Sequence, residues 1–320
     1  MQHLLSGEQL HQLYDCLVTQ LHCYDISQAK NELSTDLLDN QSLLRLFVAT
    51  KRLENLSEKS ISQYIRAVTA FFQIIGKNYT DVTSLDIKFY LAHYASTGVS
   101  NTTVNNEKRF LSAFFSWLAS EDYIHKNPVA AVKSIKCEEI RKTNLTDDEV
   151  ENIRDSCRTH RDLAIVDMLI STGVRVSELV RLNRSDVDLA TGQVLVYAPK
   201  TKNYRTGYLS PRAKKHLADY LDSRNDNSPA LFLGTGNQHP RICSARVELI
   251  LQYAARDGRV DKRVTVHSFR RYMASLMFRR GCDLVYVSKL LGHASTATTE
   301  KYYLILEQCK IKDAHATYAA

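Results

Sequence analysis

The strongest constraint on the fold is a series of apolar stripes at helical spacing between residues 57 and 118, each opened by a serine suited to capping. Ser57 precedes Ile61, Tyr64, Ile65, Val68, Phe71 and Phe72, and Gly76 stands where that helix must end. Ser84 is read as the cap of a second helix over 85–95. Ser100 begins a third, with Val104, Leu111, Phe114, Phe115 and Leu118 inward. Asn127 and Pro128 break the pattern, and a short last helix is expected after them. Because the aromatic residues follow a helix face, they are expected in a core and not as a platform for stacked bases.

Residues 134–145 (SIKCEEIRKTNL) are polar and without period, and read as a linker. A new domain opens at Thr146, with Glu149 three residues on, as in a capping box. Helices are expected at about 147–157 and 161–172, then two β-type runs, 193–198 and 205–210, around a basic turn. The rest, to about residue 313, reads as helical with breaks near 225–241 and 258–264. The expected fold is mainly α with a small antiparallel β-sheet. Its divisions are a helical extension over 1–36, a helical unit over 37–133, the linker, and a domain over 146–320. In the extension, Leu10, Leu13, Leu17 and Leu21 form one stripe, expected to pack on its own protein.

Charge is distributed unevenly. Residues 1–40 hold one basic and six acidic side chains, whereas 41–136 hold 12 basic and 7 acidic, and 137–320 hold 29 and 22. Two basic bodies after an acidic appendage permit a nucleic-acid partner without requiring one. The polar helix faces of the first body carry Lys59, Arg66, Thr102, Thr103, Lys108 and Arg109, side chains suited to phosphates and base edges, although a solvated face has the same composition. The seven cysteines are scattered and form no CxxC pair, which argues against a disulfide framework and a zinc site. The scattered cysteines fit a reducing cytoplasm, and a cytoplasmic, nucleoid-associated protein is expected. No basic stretch followed by an apolar one opens the chain, and no apolar run is long enough to span a bilayer, so no membrane partner is expected.

Three later segments carry chemistry: STGVRVSEL over 171–179, VHSFRR over 266–271, and LLGH over 290–293 with ASTATTEKYY running to 303. Each has an ordinary explanation alone: a surface arginine, a capping histidine, a turn, an amphipathic tyrosine. Their order and spacing together resemble the tyrosine recombinase family of phage-type integrases and Xer-type recombinases. That family carries an Arg within TG-x-R-x-x-E-L, then H-x-x-R, then L-G-H, then a Tyr nine residues after that His. The matching positions are Arg175, His267, Arg270, His293 and Tyr302, with Glu178 at the acidic position. The resemblance extends over residues 41–133, similar to the family's SAM-like core-binding domain, and over 146–313, similar to its catalytic domain.

The family's catalytic Lys lies in a β-hairpin sequence of the type G-K-G-x-x-x-R. Here the segment is PKTKNYR over 199–205; Lys200 keeps the offset to Arg205, the glycines are absent, and Lys202 is the alternative. Arg271 stands where many members have His, and Tyr303 offers a second phenol beside Tyr302. Lys202, Arg205 and Arg271 are expected to contact DNA.

What the resemblance implies is physically coherent. Two guanidiniums, Arg175 and Arg270, grip a phosphate in fork geometry and stabilise the charge that grows on it. A tyrosine hydroxyl, with an ordinary pKa near 10, needs a base or a cationic surround; His267 is suited to accept its proton and His293 to bond a phosphate oxygen. Lys200 is suited to protonate the departing 5′ oxygen, and Glu178 to position a neighbour. The implied product is a 3′-phosphotyrosine, with neither metal, ATP nor other cofactor. The implied partners are double-stranded DNA with an inverted-repeat core site, clamped between the two domains, and three further copies of the chain. Residues 304–320 would dock on a neighbouring protomer, and accessory proteins are allowed. A type IB topoisomerase and a non-catalytic DNA-binding protein are the competing readings. The compact helical N-terminal half and H-x-x-R segment favour recombination over the first, and the complete residue set disfavours the second.

Overall fold

Asp39 opens the first described helix, α1 (Asn40–Leu53), by accepting a bond from the Ser42 backbone N–H at 2.8 Å. The computed structural model describes residues 38–137, 144–198, 203–235 and 240–292. The chain divides into two compact units, Met1–Ile140 and Arg141–Ala320. The expected N-terminal extension, Lys200, Lys202, His293, Tyr302, Tyr303 and the C-terminal tail lie outside the described residues.

In the first unit, α2 (Glu58–Ile75) runs from its Ser57 cap to Gly76, whose φ of 65° suits a residue without Cβ. The next helix, α3 (Ser84–Ser96), starts one residue earlier than expected. Thr83 is the cap, because Asp86 returns a bond to its N–H at 2.8 Å and completes a reciprocal box that Ser84 lacks. Ser100 caps α4 (Asn101–Ser120). Phe71, Phe114 and Phe115 are fully buried, and Phe47 meets Phe114 edge-on at 5.3 Å. The aromatic stripe is thus core. Ile65 departs from its expected stripe and stays exposed.

Beneath the aromatics lies a buried carboxylate. Glu107 accepts from the Tyr90 hydroxyl at 2.9 Å and from Arg66, so its charge is compensated where water is excluded. Burial and the Glu107 charge raise the Tyr90 phenol above its ordinary pKa. The short helix expected after Pro128 is replaced by turns. The Asn127 side chain bonds the Val129 N–H at 2.8 Å, offering the backbone a local partner that competes with helix formation.

The second unit is built around α6 (His160–Thr172), which is buried nearly all round. The helix before it, α5 (Asp147–Asp155), opens at the expected Thr146–Glu149 box. Asp167, inside α6, is satisfied by Arg154 Nε at 2.7 Å and by His216 Nδ1. After a short helix, α7 (Val176–Leu179), comes an antiparallel sheet in the order β1 (Val187–Asp188), β2 (Gln193–Ala198), β3 (Asn203–Tyr208). Val194, Val196 and Ala198 face inward, and the register sets Val196 opposite Arg205. β3 lies two residues earlier than expected, because Ser210 is spent capping α8 (Pro211–Asp222). Three further helices follow among the described residues: α9 (Ser244–Asp257), α10 (Val266–Arg279) and α11 (Leu284–Leu291). A satellite core of Met273, Ala274, Phe278, Val287 and Leu291 joins α10 to α11.

Candidate active site

The site begins where α6 stops. Gly173 takes the left-handed conformation, with φ of 57°, and turns the chain so that Arg175 caps α7. A Cβ on Gly173 would lie 2.8 Å from Leu291 Cδ2 and 3.3 Å from Met273 Sδ, so this turn admits only glycine without displacing its neighbours. Three residues past Arg175, Glu178 is buried and faces back. Its carboxylate accepts from the Arg175 N–H at 2.9 Å and from Arg175 Nη1 at 2.7 Å.

Two other elements bring guanidiniums to the same place. Arg270, on the second turn of α10, is buried and donates through Nη1 to the Gly173 carbonyl at 2.5 Å and through Nη2 to the Leu291 carbonyl. Arg205, from β3, donates through Nη2 to Glu178 at 2.7 Å and through Nη1 to the Leu290 carbonyl at 2.5 Å. Arg175 Nη2 reaches the Gly292 carbonyl at 3.2 Å. Three arginines thus bond three successive carbonyls, those of Leu290, Leu291 and Gly292, at the C-terminal end of α11. A helix end leaves such carbonyls unpaired and partly negative, so cations are favoured there. The next residue in the chain is His293.

The electrostatics follow from this clamp. Burial pushes the Glu178 carboxyl up, but the Arg175 N–H, the Arg205 charge and the bonds from both guanidiniums outweigh it, and its pKa falls below the ordinary value. Glu178 is therefore an anion with its lone pairs committed, suited to orienting arginines and not to proton transfer. Arg175 keeps more of its side chain open, at 34% exposure, than Arg205 at 10%. His267 is exposed in the first turn of α10, on the same helical face as Arg270.

The structure thus brings Arg175, Glu178 and Arg270 together, with His267 one helical turn from Arg270; Lys200, His293 and Tyr302 fall outside the described residues. Arg205, expected to contact DNA, is held among these groups with its side chain 10% exposed. The signal for this was the strand period: facing residues of an antiparallel pair share a side, and Val196 points inward. The sequence presents Gly292 as a turn without disclosing that it packs against Arg205, where a Cβ would lie 2.8 Å from Arg205 Cδ. Arg271 is half-buried.

The other expected DNA contacts are scattered over the first unit. Lys59, Thr102 and Arg109 are exposed, with the Arg109 guanidinium 5.5 Å from the Phe110 ring centre. Arg66 is tied to buried Glu107, Lys108 donates to Ser134 at 3.2 Å, and Thr103 is engaged with the Ser100 cap at 2.9 Å. Among the described residues no group of three metal-ligating side chains occurs, and no helix is long and apolar enough to cross a membrane.

Comparison with known proteins bears on the same segments. A family model described as the phage integrase family matches residues 143–308, and one described as the phage integrase N-terminal SAM-like domain matches 43–125. The tyrosine recombinase XerC of Thermodesulfovibrio yellowstonii is 31% identical over 261 residues, covering 77% of this chain and 85% of the relative. The tyrosine recombinase XerA of Pyrococcus horikoshii is 30% identical over 266 residues, covering 82% and 89%. Among solved structures, a lambda integrase dimer bound to a COC′ core site has a TM-score of 0.69 at 20% identity, covering 82% of this chain and 94% of that one. A lambda integrase tetramer bound to a Holliday junction has a TM-score of 0.69 at 19% identity, covering 90% and 87%. With the motif arginines gathered at one clamp and both units matched by the family's own models, the chain belongs to the phage integrase family, the tyrosine recombinases.

Proposed function

We propose that this chain is a site-specific DNA recombinase that cuts and rejoins strands through a 3′-phosphotyrosine, integrating or excising a mobile element or resolving chromosome dimers. The observation that carries the reading is the convergence of Arg175 and Arg270 on the carbonyls of Gly292 and Leu291, immediately ahead of the candidate His293. Two permanent cations fixed in one place match the two non-bridging oxygens of a phosphodiester. In this mechanism the Tyr302 oxygen attacks phosphorus, His267 takes the phenolic proton, and Lys200 gives a proton to the leaving 5′ oxygen. His293 bonds a phosphate oxygen. The stored phosphodiester energy lets a second strand's 5′ hydroxyl reverse the step, so no ATP, metal or other cofactor enters.

The proposed substrate is double-stranded DNA with an inverted-repeat core. Exposed Lys59, Thr102 and Arg109 contact it through phosphates, and Lys202 and Arg271 are further candidates for such contacts. The working assembly is a homotetramer linked by exchange of residues 304–320, with accessory proteins permitted, acting on cytoplasmic DNA. The lambda integrase tetramer on a Holliday junction supports an assembly of that size for this fold. The test is recombination between two plasmid-borne copies of the site in EDTA without nucleotide. Site-dependent exchange is expected. Relaxation of supercoiled DNA that lacks the site, with no exchange, would overturn the reading in favour of a topoisomerase.

A further inference from the structure

Arg205 is the guanidinium of the site that the proposed chemistry does not use, and it is bonded to two other elements. It belongs to β3, the strand that follows the candidate lysines 200 and 202. One arm reaches Glu178 at 2.7 Å, on the same carboxylate that orients Arg175. The other reaches the Leu290 carbonyl at 2.5 Å, and its side chain packs so closely on Gly292 that a Cβ there would meet it at 2.8 Å. One side chain therefore joins three parts of the site: the hairpin, the Glu178–Arg175 pair, and the helix end that leads into residue 293.

We propose that Arg205 is a positioning residue for strand cleavage, holding the Arg175 guanidinium and the segment ahead of His293 in a single frame through Glu178 and the Leu290 carbonyl. The inference rests on the recombinase reading above. Without Arg205, Glu178 remains buried with one cation where it had two, and Arg175 must answer the whole of its charge. The Arg175 fork would then turn toward the carboxylate and away from a bound phosphate. The Leu290 carbonyl loses its cationic partner at the same time, so the helix end shifts. Misplacement of about 1 Å in a clamp of this kind costs on the order of 10²-fold in rate. DNA affinity, which comes mainly from phosphate contacts across the whole footprint, changes little. A lysine at 205 retains the charge facing Glu178 but has no fork for the two directions at once.

The experiment uses the full chain and a nicked duplex carrying the recombination site recovered by sequencing cleavage junctions. Site affinity and the single-turnover rate of covalent adduct formation are measured for Arg205→Met, Arg205→Lys, Glu178→Gln, and Arg205→Met combined with Glu178→Gln. Arg205→Met is expected to keep affinity within about threefold while adduct formation slows by roughly 10²-fold. Arg205→Lys is expected to recover part of that loss. The double variant is expected to be no slower than Arg205→Met alone, because both changes act through one carboxylate. The proposal is overturned if Arg205→Met cleaves within about threefold of wild type, or if affinity and rate fall in equal proportion, as for a mere staple of the fold. Should Arg205→Met fail to fold, Arg205→Lys and Glu178→Gln carry the same comparison of affinity with rate. A wild-type chain that forms no adduct overturns the recombinase reading itself, a result distinct from any variant's failure.

Discussion

At the scale of the residue, the site depends on a few positions whose neighbours leave no choice. Gly173 combines a left-handed φ with a Cβ direction occupied by Leu291 and Met273. Gly173→Ala is expected to lower the stability of the second unit by about 1–3 kcal/mol, the range for strain of this kind, measured by urea unfolding. An unchanged midpoint would contradict the packing described. Cysteine reactivity offers a second check. Burial, with the charges of Asp162 and Asp167, pushes the Cys157 thiol up to about 12, whereas Cys137 and Cys243 are exposed. Alkylation near pH 8 followed by peptide mapping should label Cys137 and Cys243 well ahead of Cys157. The resemblance to the family's TG-x-R-x-x-E-L and H-x-x-R patterns points to Arg175, Glu178 and Arg270, because those patterns are local in sequence, and the structure sets these side chains close to one another. The place of Arg205 in this cluster is not legible in the sequence, because it depends on strand register and on a carbonyl 85 residues away.

Elements were legible where capping and period agreed. The Thr146–Glu149 box, the Ser57 and Ser100 caps and the Gly76 stop stand where the sequence places them. Expectations went astray where a side chain served a non-local or competing partner: Asp86 moved the α3 cap to Thr83, and Asn127 turned an expected helix into turns. The Thr146 box does more than start α5. Glu149 also pairs with Lys262 at 2.8 Å, tying α5 to the loop that leads into α10 and Arg270. Thr146→Ala is expected to cost about 1 kcal/mol, the ordinary loss of a hydroxyl cap, read as a lowered denaturation midpoint. Glu149→Gln should weaken the same junction while leaving the Thr146 hydroxyl in place.

For the whole molecule, pH and salt act through charges already placed. The Glu178 and Glu149 carboxyls both sit below their ordinary values. In each, burial acts upward and is outweighed: by the Arg175 N–H and the two guanidiniums at Glu178, by Lys262 and the Thr146 cap at Glu149. A carboxyl depressed by folding adds stability above its unfolded pKa, about 4.3 for Glu, and that stability is lost as pH falls through the folded value. Melting temperature should therefore hold near neutrality and begin to fall below about pH 4.5, with a shallower fall for Glu178→Gln. DNA affinity should drop by roughly 10³-fold between about 50 and 200 mM salt if six or more phosphates are contacted. Arg109→Ala is expected to reduce the log–log slope by about 1.

The central claim, strand transfer through Tyr302, is tested most directly by identifying the residue joined to DNA. A nicked site is incubated with the full chain, the covalent complex is digested with protease and nuclease, and the nucleotide-bearing peptide is sequenced by mass spectrometry. The expected result is a phosphodeoxynucleotide on Tyr302, lost in Tyr302→Phe and retained in Tyr303→Phe. Modification at Tyr303, or a DNA-linked peptide from elsewhere in the chain, would contradict the account.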